Sequence, residues 1–351
     1  MTIGYSALST NLNVDGVAVI KGQPVLAATS SNDTSAFRSS TYKTKIKTIT
    51  LEDKINVPDD AVEFWDVSAM QDGRVMAYVI TNPDDSTKYD LYIQGDGSLY
   101  ANQNSSYLFY GMSAVQTINN LKILNTSNVI DMHYMFNSMS SLTSLDLSNF
   151  DTSKVTNMSC MFENMSSLMS LSITNFNTSN VTDMHYMFEN MSSLTSLDVS
   201  NFDTSNVTNM SCMFGHMDKL TGLDLSNFDT SKVTDMSFMF GAMWSLTSLD
   251  VSNFDTSNVT NMSWMFGNMD KLTGLDLSNF DTSKVTDMSL MFFRTDSGTL
   301  SIILNKTQFN SSVSTFNMFG TSPTYTITVN SEADKALIDG LGYSNVTAIV
   351  G

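Results

Sequence analysis

Cysteine, histidine and charge are all scarce in this 351-residue chain, and no apolar run is long enough to cross a membrane. The two cysteines, Cys160 and Cys212, occupy equivalent positions of a 26-residue repeat, two repeats apart. Two stacked rungs span roughly 10 Å, whereas a disulfide needs Cα atoms within about 7 Å. The spacing argues against an internal bridge, and the cysteines reveal no redox compartment. The three histidines, His133, His185 and His216, belong to no HExxH motif. The sequence also has no glycine-rich phosphate loop and no nucleophile elbow. The expectation is a non-catalytic protein with no cofactor, no metal and no membrane insertion. The opening MTIGYSALSTNLNVDG lacks a basic region followed by an apolar one, and no C-terminal sorting or lipidation motif is visible. That pattern suggests a trimmed chain, or one not exported by that route.

Charged residues make up only 15% of the chain, yet the formal net charge is -18. Phosphate backbones would repel such a surface, which excludes nucleic acid as a partner. An acidic balance serves solubility and suits basic or cationic partners. Hydrophobic residues amount to 42%, which excludes a disordered chain.

What the chain has in abundance is one unit. LTSLDLSNFDTSKVTNMSCMFENMSS begins at Leu142 and recurs from Leu168, Leu194, Leu220, Leu246 and Leu272 with a period of 26. A fixed period in the twenties marks a stacked array whose units bury their apolar sides only against neighbours. Four segments follow: 1–40, a leader or attachment segment with a strand-like stretch from Val14 to Ile20; 41–115, an N-terminal cap; 116–293, the repeats; and 294–351, a worn last repeat with a C-terminal cap. In the cap, KTKIKTITL, WDVSAM, VMAYVI and YDLYIQ read as strands, with Asp72-Gly73 and Asp96-Gly97 as turns. Ser105–Asn119 reads as a helix leading into the array.

Within a unit, Leu142, Leu145 and Leu147 match the L-x-x-L-x-L core of a leucine-rich repeat. The Asn149 column is expected to satisfy turn backbone groups rung by rung. Val155, Met158, Met161, Phe162 and Met165 read as an amphipathic helical stripe, with Ser153 or Thr156 as its N-cap. This stripe explains most of the 26 methionines as core. The fold class expected is α/β: a leucine-rich-repeat solenoid of strand-helix units, with an α/β N-terminal cap and a small C-terminal cap.

Three outward columns remain for function. Asp146, Asp198, Asp224, Asp250 and Asp276, interrupted by Ser172, form an acidic row on the strand side. Like charges about 5 Å apart in water cost roughly 1 kcal/mol, so the row is a candidate for a basic or cation-bridged ligand. The plain alternative is a solvated face. Tyr134, Tyr186, Phe238 and Trp264 stand in a variable column that also holds Cys160, Cys212 and Leu290. Exposed, they would contact a ligand or another copy of the chain; otherwise they lie half-buried between rungs. The third column, Lys154, Asn180, Asn206, Lys232, Asn258 and Lys284, suits a structural or solubility role.

The unit LDLSNFDTSKVTDMSFMF, with its Met-Phe end, resembles the BspA-like leucine-rich-repeat surface proteins of bacteria. FRSSTYKTKIKTITLEDKINVP, EFWDVSAMQDGRVMAYV and KYDLYIQGDGSLYANQNSSYLF resemble the block that precedes such repeats, so the likeness covers roughly residues 37 to 345. The resemblance implies an extracellular or cell-surface adhesin that binds a host or environmental protein or glycan, and it carries no catalytic residues. The alternative is a structural or host-recognition component of a phage particle, located in the virion.

Overall fold

The computed structural model of the chain describes residues 9–12, 18–21, 23–30, 32–304, 313–321 and 323–351. Strands β1 (Ser9–Leu12) and β2 (Ala18–Lys21) pair antiparallel, with Ser9 opposite Lys21. Of the stretch expected as a strand, residues 14–17 lie outside the described residues and Ala18–Ile20 fall in β2.

The next block is built of strands. The alternating KTKIKTITL supplies β3 (Ile46–Glu52). It is followed by β4 (Glu63–Asp66), β5 (Val75–Asn82), β6 (Asp85–Gly95), β7 (Leu99–Tyr100), β8 (Thr117–Asn119) and β9 (Leu124–Asn125). Five of these form one sheet in the order β4-β5-β6-β3-β8, and β7 pairs with β9. Gly73 (φ 72°) and Gly97 (φ 80°) take the left-handed backbone that their turns require. Only two 3-10 turns, Ala36–Arg38 and Leu121–Ile123, accompany these strands, so the expected α/β cap is a β cap among the described residues.

From there the chain winds into a stack of rungs. Asp131 bridges Asn157, Asn157 bridges Asp183, and the ladder continues in parallel register to Asp287 and Ser314. On the leucine side β10 (Ser144–Asp146) pairs in parallel with β11 (Ser170–Ser172), Leu145 opposite Leu171. At the far end β12 (Gly274–Asp276), β13 (Thr299–Leu304), β14 (Thr324–Val329) and β15 (Val346–Val350) form one all-parallel sheet. Between the last two strands lies α1 (Glu332–Asp339), capped by Ser331, whose hydroxyl accepts the Asp334 N–H at 3.1 Å.

α1 is the sole α-helix among the described residues, and this overturns the expected strand-helix leucine-rich-repeat solenoid. The reason lies in where the peptide N–H groups go. In the stripe from Met158 to Asn164, alternate residues donate to the next rung. Met158 reaches the Asp183 carbonyl at 3.2 Å, Cys160 that of His185 at 2.9 Å, Phe162 that of Met187 at 3.0 Å and Asn164 that of Glu189 at 2.9 Å. The residues between them close tight turns, Met161 onto Met158 and Glu163 onto Cys160, both at 3.3 Å. A helix would need those same donors for bonds to residue i−4. Cys160 (φ 55°) and Asn164 (φ 62°) also adopt left-handed backbone, as do their equivalents in the neighbouring rungs. Each such residue costs roughly 1–2 kcal/mol in an L-amino-acid chain. Inter-rung hydrogen bonds and shared burial offset that cost. The expected helix at Ser105–Asn119 is likewise turns and β8, with Ser105, Tyr107, Phe109 and Gly111 already bonded to residues 131–137.

The core runs through the stack unbroken. The valine, methionine and leucine columns at Val155, Met158, Met161, Met165 and Leu168 are fully buried. Phe109, Phe136, Phe162, Phe188, Phe214, Phe240, Phe266, Phe292 and Phe319 form one continuous pile of rings, with centroids 5.6–6.1 Å apart. Where the period slips by one residue, Arg294 is buried and fills the step. It donates to the Leu272 carbonyl at 2.9 Å and the Asp270 carbonyl at 2.7 Å, and pairs with Asp296 at 2.8 Å.

Candidate functional site

The acidic row lies on the surface. Asp146, Asp198, Asp224, Asp250 and Asp276 are all exposed, each beside an inward leucine or valine. Each carboxylate turns back on its own loop and accepts the N–H of the serine two residues on, at 2.9–3.0 Å. For Asp146, Asp224 and Asp250 that backbone N–H is the main force holding the carboxyl below its usual range; for Asp198 it is the Ser200 hydroxyl. The turns favour the ionised form of Asp146, Asp198, Asp224 and Asp250, and the row is a regularly spaced line of carboxylates.

The aromatic column behaves differently. Tyr134, Tyr186, Phe238 and Trp264 are half-buried. Tyr134 stacks on Tyr107 with centroids 4.8 Å apart, and Trp264 lies 6.0 Å from Phe238 and 5.4 Å from Phe293. Tyr134 faces Cys160 and Tyr186 faces Cys212, so a large residue leans over the small one of the next rung, and the thiol beside it is the first cause of each phenol's raised pKa. Burial pushes the Cys160 thiol up to about 12 and that of Cys212 up to about 11. Both thiols are free and buried, and so poor nucleophiles.

A neighbouring column makes room for the rings. Beside Cys160 and Tyr186 this column holds Glu163 and Glu189; beside Cys212, Phe238 and Trp264 it holds Gly215, Gly241 and Gly267. A Cβ on Gly215 would come within 2.8 Å of the Phe238 ring, one on Gly241 within 2.7 Å of the same ring, and one on Gly267 within 2.5 Å of the Trp264 ring. Glu189, by contrast, is pushed up to about 7, first by burial and then by the charge of Glu163.

Three polar ladders tie the rungs together. Asn201 donates to the Phe176 carbonyl at 2.6 Å, Asn227 to that of Phe202 at 2.6 Å and Asn253 to that of Phe228 at 2.8 Å, as the Asn149 column was expected to do. The third outward column bonds across rungs as well: Lys232 reaches Asn206 and Lys284 reaches Asn258, both at 2.7 Å. A buried threonine ladder escaped the sequence reading. Thr204 donates to the Asp229 carbonyl at 2.9 Å and accepts the Asp229 N–H at 2.8 Å, and Thr178 and Thr230 do the same. Its signal was an unvarying threonine column between Asp or Asn and Ser. Also missed was a strict alternation of Asp and Asn along the bridging ladder from Asp131 to Asp287, which sets like charges two rungs apart.

The β cap carries an open cleft of about 620 Å³, lined by Glu52, Asp53, Lys54, Asn56 and Asn120 with Leu51, Ile55 and Ile123. That lining holds two carboxylates and one amine but no histidine, cysteine or hydroxyl. Among the described residues no group of three or more His, Cys, Asp or Glu side chains is placed to hold a metal ion, and no helix is long and apolar enough to cross a membrane.

These features define a repeat protein of stacked, helix-free rungs. The chain belongs to the family described as "Mycoplasma protein of unknown function, DUF285", whose profile matches residues 103–222, 140–247, 162–270 and 214–331. Each match overlaps the next, as a profile does when it can settle at several registers along near-identical rungs. Comparison with curated proteins and with solved structures gave no match.

Proposed function

We propose that this chain is a BspA-like surface protein, a non-catalytic adhesin that works outside the cell and binds a host or environmental protein or glycan through its stacked rungs. The observation that carries the reading is the exposed row Asp198, Asp224, Asp250 and Asp276 on consecutive rungs, every carboxylate held by a serine N–H. A regularly spaced line of fixed charge engages a long, complementary partner at several points, and multivalent contact raises avidity. The overall charge of -18 steers basic partners towards it.

The test is retention of the purified chain on immobilised extracellular proteins and glycans, compared with a variant carrying Asp198→Asn, Asp224→Asn, Asp250→Asn and Asp276→Asn. The expected result is a loss of about ten-fold or more in affinity and a weaker salt dependence. Unchanged retention of the variant on every ligand, or no retention of the parent chain on any, would sink the reading.

A further inference from the structure

One rung breaks the pattern of its column on the outside of the stack. Ser140, Ser166, Ser192, Asp218, Asp270 and Asp296 share a column that is otherwise polar, and Trp244 interrupts it. Its side chain is 49% exposed. The His216 N–H donates to the Gly241 carbonyl at 2.9 Å and that of Ala242 to Gly267 at 2.7 Å, which holds three rungs in register two residues away. Asp218 and Asp270 therefore flank Trp244, one rung to either side, at roughly 4.8 Å per rung.

A second observation falls on the same spot. Among the described residues, four buried side-chain polar atoms have no hydrogen-bond partner: Asn201 Oδ1, Asp218 Oδ1, Asn268 Oδ1 and Asp270 Oδ1. Three of them belong to this patch. Unpaired buried acceptors are rare because each costs roughly 1–3 kcal/mol. Burial, the largest influence on both carboxyls, raises Asp218 and Asp270 above the usual aspartate range. Either carboxylate can turn its unpaired oxygen to an incoming hydroxyl without giving up a bond in the fold.

We propose that Trp244, with Asp218 and Asp270 on either side and Lys219 and Lys271 beside them, binds a neutral sugar ring of a glycan. The inference rests on the adhesin reading and supplies its ligand class, at a place separate from the aspartate row. The C–H face of a pyranose packs on the flat indole, and its hydroxyls serve both kinds of polar neighbour. They donate to the carboxylates and accept from the ammonium groups. The local charges decide between ligand classes. Two aspartates and two exposed lysines cancel, so a basic peptide gains no net attraction at this patch. An acidic glycan meets repulsion from a chain of net charge -18.

The experiment uses the full chain on an array of immobilised neutral oligosaccharides of glucose, galactose, mannose and N-acetylglucosamine, with polylysine and heparin as charged controls. Three variants accompany it: Trp244→Ser, which restores a residue type of its own column; Asp218→Asn with Asp270→Asn; and the four-aspartate row variant. Retention on at least one neutral saccharide is expected, reduced at least about ten-fold by Trp244→Ser and several-fold by the double variant, and unaffected in the row variant. Titration with the retained saccharide should shift tryptophan emission in the parent and not in Trp244→Ser. Equal retention of the parent and Trp244→Ser, no retention on any neutral saccharide, or retention on polylysine alone would each overturn the proposal. If saccharide retention is lost in the row variant and kept in Trp244→Ser, this site fails while the adhesin reading stands.

Discussion

Single side chains in this protein act through whole columns. Thr204 shows the logic: one hydroxyl serves both the N–H and the carbonyl of Asp229 on the next rung, in a site with 0% exposure. Thr204→Val keeps the shape and removes both bonds. Two buried backbone groups are then left unpaired, and the expected cost is about 1–3 kcal/mol. Urea or thermal unfolding followed by circular dichroism measures it, and a change under about 0.5 kcal/mol would contradict the ladder's role. The threonine column was legible as an unvarying position, but its job was not. Nothing in the local sequence distinguishes a threonine that bonds across rungs from one that caps a helix.

At the scale of the element, the decisive feature is the segment from Met158 to Met165 and its equivalents. Apolar residues spaced three and four apart satisfy a helix, and they satisfy a chain of tight turns equally well. The left-handed positions decide between the two, and one column of them was readable. Asn164, Asn190, His216 and Asn268 are residue types that tolerate positive φ better than most, although Ser138 and Ala242 share the column and the same backbone. The other column, with Tyr, Cys, Phe and Trp, carries no such mark. Its rings depend on the glycines beside them. Gly267→Ala places a Cβ within 2.5 Å of the Trp264 ring, so the indole must leave its half-buried slot. The expected outcome is a red shift in tryptophan emission and a loss of about 1–3 kcal/mol. Emission identical to the parent would show that the glycine column does not seat the aromatic one.

For the molecule as a whole, pH should act in two opposed ways. Glu189 is raised from its ordinary 4.5 to about 7 by burial and by Glu163. The folded state thus holds this proton more tightly than the unfolded state. Stability is highest when the group is protonated in both states, and it falls as pH rises from about 4.5 to about 7. His185, raised chiefly by its hydrogen bond to Asp183, acts in the same direction: its contribution is present below 6.5 and is lost as pH climbs through its raised value. Asp146, Asp198, Asp224 and Asp250 work the other way, because their lowered carboxyls lose their contribution as pH falls below 3.8. The melting temperature should therefore peak in mildly acidic buffer, and Glu189→Gln should flatten the decline towards pH 7. A melting temperature that rises steadily from pH 5 to 8 would refute this. The period, the rung boundaries and the buried columns followed from the sequence alone, because a shared core forces the same residue type at the same place on every rung. So did the strands of the β cap, whose alternation and Asp-Gly turns are local signals. Only the tertiary structure decided that the rungs contain no helix. Each peptide N–H there has two possible partners, one within its own segment and one on a rung 25 residues further on. That choice is made by stacking, which no single repeat encodes. The same holds for the outer surface: a tryptophan in a serine and aspartate column is visible in the sequence, but the unpaired carboxylates around it appear only when the rungs are set side by side.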